Sequence, residues 1–209
     1  MINLSQRMVA LGTAKSEIRE AFAFAQARAA AVGPEQVDDF SIGNPSVPAP
    51  DTVKELVHQL MDSVDPVKLH GYTPAQGEAS VRQALADDLN RRYGTAYTAD
   101  HFYLTAGAAG ALYCALSALG CPGDQFLTFA PYFPEYKVFV ESAGAQLVAV
   151  PARLEDFQID FAALEAALSP QVKGVIINSP NNPTGVVYSQ ETIRRLAAEK
   201  YRPETVRGL

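Results

Sequence analysis

The run N-S-P-N-N-P-T-G, from Asn178 to Gly185, ends a short apolar stretch with amides set between prolines. An asparagine side chain both donates and accepts, and carries no charge at neutral pH. Held by flanking prolines, it loses little freedom on binding, and a fixed amide N–H suits an oxyanion on a ring. An Asx turn with Pro and Gly accounts for N-P-T-G alone, but less well for the whole run. A second stretch, T-A-G-A-A-G-A (105–111), has side chains small enough to let a ligand approach the backbone. The helix expected after it aims free N–H groups and a positive dipole end at the loop, which suits a phosphate or carboxylate. The same residues also fit a tight strand-to-helix turn. They match neither G-x-x-x-x-G-K-[ST] nor G-x-G-x-x-G, so a P-loop or dinucleotide site is unsupported. A third stretch, A-P-Y-F-P-E-Y (130–136), offers aromatics that could lie on a planar ligand ring or close the top of a sheet as core.

Positioning these loops requires strands that end just before them. Short strands are expected at 101–105, 125–129, 145–150 and 173–178, each followed by a helical pattern. The helices span about 106–120 and 132–144, a segment capped by Asp160 and carrying Phe161, Leu164 and Leu168, and a last one capped by Ser189. Repeated strand–helix units imply a parallel sheet covered on both faces, with ligands at the carboxyl ends of its strands. Upstream, 16–32 reads as an amphipathic helix with Ile18, Phe22 and Ala25 on one face. Residues 38–50 read as a short strand entering a Pro-rich loop. Asp51 is placed to cap a helix carrying Val53, Leu56, Val57, Leu60 and Met61, and a further helix runs through Val81, Leu85 and Leu89 to Gly94.

The 209 residues are 48% hydrophobic with a net charge of −6, which fits globular domains and argues against a nucleic-acid partner. No apolar run reaches the roughly 18 residues of a membrane span, and the amino terminus does not read as a signal peptide. A cytoplasmic location is the default expectation. Cys114 and Cys121 lack C-x-x-C spacing and are expected as small buried hydrophobes. His58, His70 and His101 lack metal-ligand spacing and read as surface or structural residues.

Taken together, the three loops resemble those of the class I/II aminotransferases, fold-type I enzymes dependent on pyridoxal phosphate. Asn178–Gly185 is similar to that family's N-x-P-x-N-P-T-G signature, and the resemblance runs to about Lys200. It implies a three-layer α/β/α large domain with a mainly parallel sheet of order 3-2-4-5-6-7-1. Here the four expected strands would be the first four. It divides the chain into an arm and part of a small domain (1–75), a partial cofactor-binding domain (76–200) and a divergent tail (201–209). It also implies site residues. Asn182 would bond the phenolic oxygen of pyridoxal phosphate, and Gly107, Ala108 and Ala109 would form the phosphate turn. Phe133 would stack on the ring, and Tyr72, in H-G-Y-T-P-A-Q-G, would reach the phosphate held by a partner subunit. Gly43, in F-S-I-G-N-P, would lie near the substrate carboxylate. The substrates would be an amino acid and a 2-oxo acid, and the assembly a homodimer.

Family members are roughly twice as long. Their ring-facing aspartate, the Schiff-base lysine and the arginine that grips the substrate carboxylate have no counterpart here. Lys173 and Lys200 lack the small, Ser-rich surroundings of that lysine. A truncated or frameshifted product of marginal stability is therefore expected, one that does not complete a transamination alone. A lyase or decarboxylase of the same cofactor class, a catalytically inactive fragment, and a generic nucleotide-binding α/β domain are the competing readings.

Overall fold

The computed structural model describes residues 4–43 and 47–198. The expected tail, 201–209, and Lys200 lie outside the described residues. Contacts divide the chain into two units, Met1–Tyr72 and Thr73–Leu209, and each is described by itself.

The first unit is helical. After α1 (Gln6–Thr13), α2 (Glu17–Val32) begins where Ser16 Oγ accepts from Arg19 N, and ends at Gly33. Residues 38–43 form bends rather than the expected strand. Asp39 accepts from both the backbone N–H and the hydroxyl of Ser41, a local alternative that draws the backbone out of an extended path. The N-cap of α3 (Asp51–Ser63) is Pro50. Asp51, expected as the cap, is instead the first helical residue, where its charge still complements the positive end of the helix. Asp65 caps α4 (Pro66–Leu69) through Val67 N and Lys68 N. The apolar stripe of α3 is exposed, as is Ile18, while Phe22 and Ala25 are half-buried.

In the second unit α5 (Ala79–Tyr93) ends at Gly94, which adopts the left-handed conformation at φ +66°. Then come α6 (Gly107–Leu119), β1 (Gln125–Ala130), α7 (Glu135–Ser142), β2 (Gln146–Pro151), α8 (Phe161–Ala167), β3 (Val172–Ile176) and α9 (Gln190–Ala198). The strands pair in parallel in the order β2-β1-β3, so the central strand is the first of the three in sequence. That is the 3-2-4 portion of the expected order.

Residues 101–105 are not a strand. Leu104 N donates to Gln76 O, a turn carbonyl, at 3.1 Å, and among the described residues no strand runs alongside to form a ladder. The segment is held instead by packing and by Arg82. Gly77 has φ +88°, and a Cβ there would come within 2.5 Å of Leu104 Cδ1. The guanidinium of Arg82, 8% exposed, donates to Gly77 O and to Ala99 O.

The core follows from β1. Its run Phe126–Phe129 is buried throughout, as a central parallel strand requires. Leu127 and Phe129 pack on one face with Val150, Ile159, Leu164 and Tyr188, under α8 and α9. Phe126 packs on the other with Leu116, Val140 and Ala145, under α6 and α7. Alternation of side chains along the strand thus produces the helix–sheet–helix layering. Cys114 and Cys121 are both exposed, not buried. Cys114 lies on a face of α6 turned away from the sheet, of which only Leu116 is buried. Cys121 sits in the turn into β1. Among the described residues no helix is long and apolar enough to cross a membrane, and no cluster of His, Cys, Asp or Glu could hold a metal.

Candidate functional site

The loop after β3 is built from its own asparagines. Asn178 Nδ2 donates to Pro180 O at 2.9 Å, and Ser179 Oγ accepts from Tyr188 N at 3.1 Å. Asn181 N donates to Val186 O, and Gly185 N returns a bond to Asn181 O. Gly185 sits at φ +72° with open space around its Cα, so conformation rather than room calls for glycine there. Asn181 is buried, and its Nδ2 donates to Thr184 Oγ1 at 2.8 Å and to Pro131 O at 3.1 Å. Asn182, one residue on, is exposed. Its side-chain amide makes no hydrogen bond among the described residues.

The bond to Pro131 joins this loop to the one that follows β1. In that second loop Phe133 is half-buried, with its ring edge-on to Tyr136 at 5.5 Å between centroids. Tyr136 N donates to Phe133 O and starts α7. Because β1 and β3 run parallel, both loops lie at the carboxyl end of the sheet.

The start of α6 lies toward the same end. The helix passes through a short turn directly into β1, so the chain reverses and the first turn of α6 faces the strand termini. Gly107 has φ +80° with nothing within 4 Å of where a Cβ would stand. No side chain caps this helix, and Gly107, Ala108 and Ala109 are exposed. Their neighbour Thr105 turns its hydroxyl to Gly107 O. Gly107 N is already engaged, donating to Thr105 O at 2.9 Å, which leaves the N–H groups of Ala108 and Ala109, both exposed residues, as the first-turn donors without an intrahelical partner.

Burial pushes the Tyr136 phenol above its usual pKa, and burial, with a smaller effect of the neighbouring Tyr136, does the same for Tyr188. Both stay protonated at neutral pH, behind Phe133 and at the end of the Asn178–Gly185 loop.

Of the residues expected from sequence, Gly107, Ala108, Ala109, Phe133 and Asn182 belong to the second unit. Gly43 and Tyr72 belong to the first, where both are exposed. Lys173 lies at the opposite end of β3, with Nζ 3.5 Å from Asp124 Oδ2. Sequence reasoning missed Asn181, which reads as a spacer in the motif. Its signal is only that two asparagines adjoin, and its partner carbonyl is fifty residues away.

An uncapped helix start, an exposed amide and a half-buried aromatic thus lie at one end of the parallel sheet of a partial three-layer α/β domain. The chain belongs to the aminotransferases of class I and II, whose pattern matches residues 35–203. A crystal structure of an aminotransferase from Eubacterium rectale is 52% identical, superposes with a TM-score of 0.90, and covers 95% of this chain and 50% of its own. The probable aspartate/prephenate aminotransferase of Thermus aquaticus is 35% identical over 74% of this chain and 40% of its own length. The arginine–pyruvate transaminase of Pseudomonas aeruginosa is 31% identical over 78% of this chain and 41% of its own. The chain thus spans about half or less of the relatives it matches. Members of this family generally depend on pyridoxal phosphate.

Proposed function

We propose that this chain takes part in pyridoxal-phosphate-dependent transfer of an amino group between an amino acid and a 2-oxo acid, and that its own share is the hold on the cofactor. The observation that carries this is the exposed Asn182 amide, next in the chain to the buried Asn181 that bonds Pro131 O, at the same sheet end as Phe133 and the uncapped start of α6. The donor set fits the group. Backbone N–H groups of Ala108 and Ala109, joined by that of Gly107 once it leaves Thr105 O, suit a phosphate, the Phe133 ring suits the face of a pyridine, and Asn182 Nδ2 suits its phenolic oxygen. When bound, pyridoxal phosphate supplies an electron sink for charge developing at the amino-acid α-carbon. Asn182 would favour the ionised phenolic oxygen by donating to it, and Phe133 would set the plane of the ring. In a homodimer, Tyr72 would serve the phosphate bound by the partner, and the backbone of Gly43 would lie at the substrate carboxylate. The names of the relatives include an acidic donor and a basic one, so the proposal stays at the level of amino acid and 2-oxo acid.

The test is an equilibrium titration of the chain with pyridoxal phosphate, followed by the absorbance of the cofactor. Saturable binding is expected, and Asn182→Ala should weaken it about ten- to a hundredfold, the effect of one hydrogen bond to a charged oxygen. Absence of saturable binding, or binding indifferent to both Asn182→Ala and Phe133→Ala, overturns the reading.

A further inference from the structure

We infer that Asn181 is a positioning residue, which sets the Asn182 amide against the Phe133 ring by clasping two loops together; this rests on the cofactor reading above. Both hydrogens of its Nδ2 are engaged. One holds Thr184 Oγ1 inside its own loop, and the other holds Pro131 O, two residues before Phe133. Its backbone makes two further bonds, from Asn181 N to Val186 O and from Gly185 N to Asn181 O. At 8% exposure the side chain is closed off from a ligand and does not bind one. Loops at strand ends move most freely unless something ties them. Among the described residues, this amide is the side-chain hydrogen bond that ties the loop after β3 to the loop after β1. Adjacent asparagines therefore divide the work: one fixes the gap between ring partners, and the other fills it.

The clasp makes specific demands. Asn181→Asp keeps the shape but turns a carboxylate toward two oxygen acceptors, and Thr184→Val keeps the shape but removes one acceptor. Thr184→Ser keeps that acceptor. Two readouts separate the clasp from the cofactor. The first is amide hydrogen exchange in the unliganded chain at Gly185 in one loop and Tyr136 at the end of the other. The second is the affinity for pyridoxal phosphate, with the pH midpoint at which the bound ring oxygen ionises. We expect exchange at both amides to rise about tenfold or more in Asn181→Asp. Cofactor affinity should fall about tenfold, and the ionisation midpoint should move up as Asn182 loses its aim. Thr184→Val should fall between, and Thr184→Ser should restore wild-type values. Asp124→Ala, which loses its bonds to Cys121 N and Lys173 Nζ at the opposite end of the sheet, should keep the wild-type midpoint in its folded fraction.

Unchanged exchange in a folded Asn181→Asp chain overturns the clasp. Should the aspartate variant not fold, unchanged exchange in Asn181→Ala, which removes the donor to Pro131 O, overturns it equally. Loosened loops with wild-type affinity and midpoint overturn the positioning role. Failure of the wild-type chain to bind pyridoxal phosphate overturns the cofactor reading and with it the role toward the ring, while exchange still decides the clasp.

Discussion

An asparagine amide can build or it can bind, and burial decides between the two at positions 181 and 182. Asn181→Ala should cost about 1–3 kcal/mol of stability, because it leaves Pro131 O and Thr184 Oγ1 without their donor. Asn182→Ala removes an exposed side chain that bonds nothing among the described residues, so its cost should stay within about 0.5 kcal/mol. Urea unfolding of the two variants checks this contrast. The tyrosines make a second residue-scale test. The pKa values of Tyr136 and Tyr188 are raised in the folded chain, so the unfolded chain releases these protons first. Their contribution is intact below the unfolded value of about 10 and is lost as pH rises through the folded values. Stability should therefore fall above about pH 10, and less steeply in Tyr188→Phe. Asn182 was legible as a candidate because the motif that marks it lies in its neighbours along the chain. Asn181 was not, because its work depends on a carbonyl brought close only by the pairing of β1 and β3.

Elements differ in how much of their stability is local. Asp160 caps α8 by accepting from Ala162 N and Ala163 N, and Asp160→Ala should cost about 1 kcal/mol. Leu164, on the buried face of that helix and fully enclosed, should cost about 2–5 kcal/mol when cut to alanine, since the cavity adds to the lost transfer energy. Thermal or urea unfolding orders the two, and a costlier cap would mean that the helix is only loosely docked. The cap and the apolar periodicity of α8 were both readable in sequence, as was β1, a short apolar run that follows the turn residues C-P-G-D. The stretch 101–105 looks like a strand by composition, but strandedness needs a neighbour, and the N–H of Leu104 goes to a turn. The bend at 38–43 was missed because Ser41 bonds Asp39 locally.

At the scale of the molecule the sheet order β2-β1-β3 followed from the family resemblance, since composition alone does not say which strand is central. What no periodicity revealed is how unevenly burial is shared. Among the described residues every buried one belongs to the second unit, and none of the first is buried. Backbone held by few buried contacts opens locally at little cost, whereas the strands open only with most of the fold. The helices α1–α4 therefore form the low-stability end of the chain, even though their hydrogen bonds are regular. In a dilute sample under limited proteolysis the first cuts should fall between residues 4 and 72, leaving a product that begins near Thr73 and retains β1, β2 and β3. Mass spectrometry of an early time point reads the sites directly. If a second copy covers the exposed stripe of α3, where Leu56, Val57 and Leu60 stand open, protection of the first unit should rise with protein concentration. First cuts inside Gly107–Ile176, with the amino-terminal helices intact in dilute solution, would show that the stability of the first unit does not follow its burial.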